Sequence, residues 1–261
     1  MTRISSLSLL FAGAALAIGG GVAVIGFNPT ESNVGVTAAV AAAAPAAVPA
    51  VSTGADAAHP TVVELFESQG CSDCPPANTN VNALAARPDI LALNFAVTYW
   101  DQLGWKDTFA KPAYTARQWE YSNAAGRGQV ATPQVIINGG ATVVGANPQT
   151  LARAIHDNTR GLGGPQIVAA NGKVTVGKGS GSATVWIVQY DPRNLVVPIR
   201  AGENGGATLA HRNIVRSLAS LGTWNGAPAT FSVPAPSDRN YRNAVLVQQG
   251  KGGKIIAASR I

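Results

Sequence analysis

Thr61-Val-Val-Glu-Leu-Phe66 runs straight into Glu67-Ser-Gln-Gly-Cys71-Ser-Asp-Cys74-Pro-Pro-Ala77, and this stretch decides the reading of the whole chain. The first six residues are β-branched or apolar apart from Glu64, the composition of a short buried strand. Ser68 to Cys74 reads as a turn, and the residues after it, with Ala77, Val81, Leu84 and Ala85 at helical spacing, read as a helix that stops at Arg87-Pro88. The cysteine pair therefore falls where a strand ends and a helix begins. Backbone N–H groups in a first helical turn lack intrahelical acceptors, so a thiolate placed there is stabilised. Three-residue spacing also brings the two sulfurs within bonding distance, and Pro75 and Pro76 are tolerated because first-turn N–H groups make no helix bond. The pattern puts Cys71 at the helix tip as nucleophile and Cys74 one turn inside as the resolving partner. Two other uses of the pair stay open at this stage. One is a purely structural bridge, which across so short a loop removes little unfolded-state entropy. The other is metal, for which two thiolates need a further ligand, and the chain holds only His59, His156 and His211.

Working outward, residues 90–97 form a second buried-strand candidate, and a loop at 101–111 follows it, flanked by Trp100 and carrying Trp105. A helix is expected over 112–125, opened by Pro112 and closed by Gly126. Residues 134–137 and 141–144 read as two strands joined by Asn138-Gly139-Gly140, since Asn-Gly suits a turn whose central residues both need positive φ. Residues 148–158 read as a helix with Asn147 as its N-cap. The order is strand, helix, strand, helix, strand, strand, helix, with the first two strands parallel and the last two antiparallel. That is the order of a thioredoxin-like domain, α/β with a mixed sheet, assigned here to residues 60–160. Thr132-Pro133 stands just before the third strand. A cis-proline at that place in such a fold lies beside the disulfide and leaves backbone groups free to pair with an extended substrate, Thr132 among them.

From Gly161 the texture changes to short strand candidates at 167–169, 173–176, 183–190, 196–199, 230–233, 244–248 and 255–258, with a helix candidate at 214–221. Residues 161–261 are read as a β-rich, sandwich-like C-terminal domain. At the other end, Arg3 precedes an uncharged apolar run over residues 4–28, so residues 1–27 read as a secretory signal or an uncleaved N-terminal anchor. Residues 28–59, rich in Ala, Pro, Val and Thr, read as a linker. The chain is thus expected to be exported to the periplasm or beyond, touching a membrane only through that first segment.

Of the 261 residues 46% are hydrophobic and 12% charged, which excludes wholesale disorder. The net charge of +6 is scattered rather than gathered into a basic stripe, so nucleic acid is not an expected partner. Two cysteines are too few for a disulfide scaffold.

The sequences Val62-Val-Glu-Leu-Phe-Glu-Ser-Gln-Gly-Cys-Ser-Asp-Cys-Pro-Pro-Ala77, Tyr99-Trp-Asp-Gln-Leu-Gly-Trp-Lys-Asp107, Ala131-Thr-Pro-Gln134, Arg200-Ala-Gly-Glu-Asn204 and His211-Arg-Asn213 resemble a bacterial secreted family catalogued as domain of unknown function 1223. The resemblance spans residues 60–261. It implies a thioredoxin-like fold and thiol chemistry, without naming a substrate. Compared with thioredoxin, Gly70 replaces the usual tryptophan and Ser72-Asp73 replaces Gly-Pro, and Asp73 disfavours a nearby thiolate.

The expected function is thiol–disulfide exchange by Cys71 and Cys74 with a protein or small-thiol partner, Pro133 shaping the groove and no dissociable cofactor needed. The competing expectation is a Cu- or Zn-binding or partner-binding protein on the same scaffold. Trp100 and Trp105, with Asp101, Lys106 and Asp107, are candidate walls of a substrate cleft or a hydrophobic cluster under a loop. Glu64 is a candidate proton acceptor for Cys74, as the buried acid is in thioredoxins, or else an outward-facing strand residue. Arg200, Glu203, Asn204, His211 and Asn213 form a possible second site, or a group of ion pairs and turn contacts.

Overall fold

The computed structural model describes residues 54–261, so the expected signal or anchor and most of the linker lie outside the described residues. The first half contains β1 (Thr61–Glu67), α1 (Cys74–Leu84), β2 (Ile90–Ala96), α2 (Pro112–Ala124), β3 (Gln134–Ile137), β4 (Ala141–Val143) and α3 (Pro148–Asp157), in the expected order. β1 and β2 are parallel, β3 is antiparallel to β1, and β4 is antiparallel to β3. Every residue of β1 and β2 is buried, because helices cover both faces of the sheet. The period-2 alternation of a strand sorts the β1 side chains between them. Val63 and Leu65 pack with Ala77, Val81 and Leu84 of α1 and Leu151 and Ile155 of α3. Val62 and Phe66 pack on the opposite face with Tyr114 and Tyr121 of α2.

Helix ends follow their local chemistry. α1 and α2 have proline in their first turn, α2 stops before Gly126 at φ 65°, and the Asn147 side chain caps α3 by accepting the Thr150 N–H at 2.8 Å. Asn138 and Gly139 both have positive φ, 46° and 68°, as the β3–β4 turn requires. A Cβ on Gly139 would also stand 2.3 Å from the Gly253 carbonyl oxygen, so no other residue fits there.

The second half comprises β5 (Ile167–Ala170), β6 (Lys173–Val176), β7 (Ala183–Asp191), β8 (Leu195–Pro198), β9 (Thr208–His211), β10 (Ile214–Trp224), β11 (Ala229–Ser232), β12 (Arg242–Gln248) and β13 (Ile255–Arg260). These strands do not form a free-standing sandwich. β7, β10, β12 and β13 continue the first sheet, giving the eight-stranded order β13-β12-β7-β10-β2-β1-β3-β4. The junction is narrow: Ile214 of β10 lies opposite Asn94 of β2, and Asn94 N–H donates to the Asn213 carbonyl at 3.0 Å. Asn213, at φ 50°, also donates its side-chain amide to the Ala92 carbonyl at 2.8 Å. Residues on both sides of Gly161 therefore share one mixed sheet. It curls until the Ile255 N–H donates to the Asn138 carbonyl beside β3.

A separate three-stranded sheet, β11-β6-β5, covers the outer face of this extension, with Val174, Val176 and Phe231 packed on Val185, Ile187, Val245, Val247 and Trp224. β8 and β9 form a two-stranded hairpin of their own. The helix expected at 214–221 is instead strand β10. Its pairing with β7 slips at Arg216 and Leu221, which breaks strict alternation and leaves Ile214, Leu218 and Leu221 at a spacing that imitates a helix.

Candidate functional site

The cysteine loop is built by β1 above it and α1 below. Cys71 and Cys74 form a disulfide with Cα atoms 5.4 Å apart, and each residue is only 1% exposed. Helix α1 begins at Cys74 rather than Cys71, so Cys71 sits in the preceding turn, its N–H on the Ser68 carbonyl and its carbonyl accepting the Cys74 N–H. Gln134 lies opposite Phe66, which places Pro133 level with the end of β1 where the loop begins, and the Thr132–Pro133 bond is cis.

Two further segments close over the loop. From the β8–β9 hairpin, Asn204 donates its amide to the carbonyls of both Gln69 (2.9 Å) and Cys71 (2.8 Å). Its neighbour Glu203 accepts the Ser72 N–H (3.2 Å) and hydroxyl (2.7 Å), and these hydrogen bonds hold its carboxyl below the usual carboxylate range. From the loop after β2, Trp105 donates its indole N–H to Gln69 Oε1 at 3.0 Å, and Trp100 donates to the Thr132 hydroxyl at 2.7 Å. Both tryptophans are half-buried. They tie the cysteine loop and the cis-proline segment to one frame. Gly202 seats the hairpin on that frame, since its Cβ position is 3.2 Å from Trp105 Cβ.

Beneath the loop lies a buried charged cluster. Glu67 is 1% exposed, Asp107 2% and His211 0%. His211 Nδ1 is 2.9 Å from Glu67 Oε1, and the side-chain nitrogen of Asn78, one turn beyond Cys74 in α1, lies 3.0 Å from the same Nδ1. His211 Nε2 is buried and has no hydrogen-bond partner. Asp107 accepts the N–H groups of Gln69 (2.7 Å) and Phe109 (2.8 Å). Burial and the Glu67 charge raise the Asp107 carboxyl to about 6, against these N–H groups and His211, which favour its ionised form. Burial alone would lower the His211 pKa, but the Glu67 carboxylate, by charge and hydrogen bond, and Asp107 outweigh it, so the imidazole titrates above its ordinary value.

Glu64 does not serve the cysteines. It is 0% exposed and points with Val62 and Phe66 to the α2 face, away from α1. There Arg117 holds it through Nε at 2.7 Å, and the Tyr121 hydroxyl donates to its other oxygen. Arg117 also donates to Gln248 of β12 at 3.0 Å, linking the two halves of the chain. The acid on the α1 face is Glu67. Its parity with Val63 and Leu65, three positions before Gly70, was the available signal.

Of the second group singled out in the sequence, Glu203, Asn204 and His211 meet the cysteine loop or the acids below it. Asn213 instead holds the sheet junction. Arg200 is exposed and makes no ion pair among the described residues. Among the described residues no three Cys, His, Asp or Glu side chains converge as a metal-ligand set.

No curated protein matches this chain. Among solved structures, protein AGR_C_4864 from Agrobacterium tumefaciens is similar at 32% identity with a TM-score of 0.66, covering 79% of this chain and 94% of that one. HBP35 of Porphyromonas gingivalis is similar in fold alone, at 12% identity and TM-score 0.53, over 78% of this chain and 74% of that one. The sequence pattern of the family described as protein of unknown function (DUF1223) matches residues 62–248, and the chain belongs to that family.

Proposed function

We propose that this is an exported thiol–disulfide oxidoreductase of thioredoxin-like fold, working through Cys71 and Cys74 on a protein or small-thiol partner. The observation that carries the reading is the Cys71–Cys74 bond itself, set between the end of β1 and the first turn of α1 and level with cis-Pro133. The sheet order β2-β1-β3-β4 with helices on both faces supports the fold assignment. Export is supported by Arg3 followed by the apolar run, together with a disulfide, which persists in oxidising compartments.

In the proposed reaction a partner thiolate attacks Cys71 Sγ, the Cys71–Cys74 bond breaks, and the electron pair leaves on Cys74. A second thiolate of the partner then displaces Cys71 from the mixed disulfide. The partner loses two electrons and becomes a disulfide, while the cysteine pair gains them and takes up protons. His211, ion-paired with Glu67 and in contact with Asn78 one turn beyond Cys74, is a titratable group linked to that helix turn through Asn78. Cys71 is only 1% exposed and the Glu203–Asn204 segment is hydrogen-bonded to its loop, so the proposal includes an opening of that segment before attack.

The test is trapping. A Cys74→Ser variant incubated with a disulfide-bonded peptide should accumulate a mixed disulfide at Cys71, seen as a mass shift that dithiothreitol reverses. Cys71→Ser should trap none, or far less. Two unreactive variants would count against the proposal.

A further inference from the structure

At the end of the sheet remote from the cysteines, where β1 begins and β3 ends, lies a cavity of about 700 Å³ that the exchange chemistry does not use. Its wall brings together the C-terminal end of α3, the β3–β4 turn and the glycine-rich turns at 177–181 and 249–254. Arg160 on that wall is a half-buried cation with no counterion among the described residues. Its Nη2 donates to the Pro60 carbonyl at 2.6 Å and its Nη1 to the Gly163 carbonyl at 3.4 Å, while Nε is buried with no acceptor among the described residues. Burial lowers its pKa to about 10, with no carboxylate close enough to oppose the shift.

Two more cations, Lys178 and Lys254, line the same cavity, both exposed and neither in an ion pair among the described residues. Ser180 adds a hydroxyl. Among the described residues the only carboxylate on the wall is Asp157, whose Oδ1 lies 3.0 Å from His156 Nδ1. A partly desolvated guanidinium satisfied only by carbonyls keeps its full charge to offer, and it gains most from an anion that also spans neighbouring ammonium groups. The volume suits a small molecule rather than a single halide.

We propose that this cavity is a binding site for a small multivalent anion of the phosphate or polycarboxylate class, held by Arg160, Lys178 and Lys254. It is independent of the cysteine centre, so it stands or falls apart from the exchange reading.

The experiment is isothermal titration and thermal unfolding of the protein with sodium pyrophosphate and with sodium citrate, against sodium chloride at matched ionic strength. Saturable binding of either anion at millimolar concentration or below, with a rise in Tm that chloride does not give, is the expected result. Pyrophosphate alone would assign the phosphate class, citrate alone the polycarboxylate class. Lys178→Ala/Lys254→Ala, two exposed changes that leave the fold intact, should weaken binding roughly tenfold or more without moving the anion-free Tm. Arg160→Lys keeps a charge but loses the planar fork, and should also weaken binding. No saturable response to either anion, a response equal to chloride, or unchanged affinity in the double variant would overturn the proposal.

Discussion

Removing the Asn204 side chain should make the buried disulfide faster to reduce. Its amide makes two hydrogen bonds to the cysteine loop, to the carbonyls of Gln69 and Cys71 at 2.9 and 2.8 Å, in a partly buried setting. A net contribution of about 1 kcal/mol each gives about 2 kcal/mol for the pair, or roughly a 30-fold shift in the opening equilibrium of the covering segment. Glu203 would still hold Ser72, so the segment should remain folded back but open more often. If reduction proceeds only from the open form and reclosing is fast, the observed rate follows that equilibrium. The assay is pseudo-first-order reduction by dithiothreitol, quenched by alkylation and read by mass. Asn204→Ala should react roughly 10- to 30-fold faster than the parent chain, with little change in the equilibrium reduction potential. A rate within about twofold of the parent would refute the idea that this contact gates access.

Arg117→Met should destabilise the protein by about 3–5 kcal/mol in urea unfolding, because it strands the fully buried Glu64 carboxylate, and Glu64→Gln/Arg117→Met should regain much of the loss. A single-variant loss below about 1 kcal/mol would contradict this. Stability should also fall as pH rises through the neutral range. Folding raises the carboxyl of Asp107 to about 6, so its contribution is complete below the ordinary carboxylate value of 3.8 and is lost as pH passes about 6. The raised imidazole of His211 acts in the same sense, its contribution present below the ordinary histidine value of 6.5 and lost as pH rises through the higher folded one. The lowered carboxyls of Asp191 and Glu203 act oppositely, but only below the ordinary carboxylate range. Urea midpoints measured from about pH 4 to pH 8 should therefore decline, and Asp107→Asn should flatten the lower part of that decline. A midpoint that climbs across the interval would contradict the assignment.

The first half of the fold was legible because its signals are local. Proline and glycine at helix ends, Asn138-Gly139 at a turn and largely apolar strands flanking a Cys-x-x-Cys each act within a few residues. The second half was not, because its organisation rests on long-range pairing. Nothing near Ile214 announces that it meets Asn94, and the bulges in β10 disguise a strand as a helix. The same holds for the site. Cys71, Cys74 and Pro133 are visible from their neighbours in sequence, whereas the Glu67–His211 contact joins residues 144 positions apart. Glu64 reads by composition either as a buried acid or as an outward-facing strand residue, and it is the strand parity sending it toward Arg117 that separates it from Glu67.

The measurement that bears most directly on the proposed chemistry is the equilibrium reduction potential of the Cys71–Cys74 pair, read by alkylation across glutathione buffers. A reversible two-electron transition between roughly −120 and −270 mV is the predicted result, the range of working dithiol centres, and its position would set the direction in which the protein runs. A bond that stays closed until well below about −300 mV would contradict the account and make Cys71–Cys74 a structural bridge.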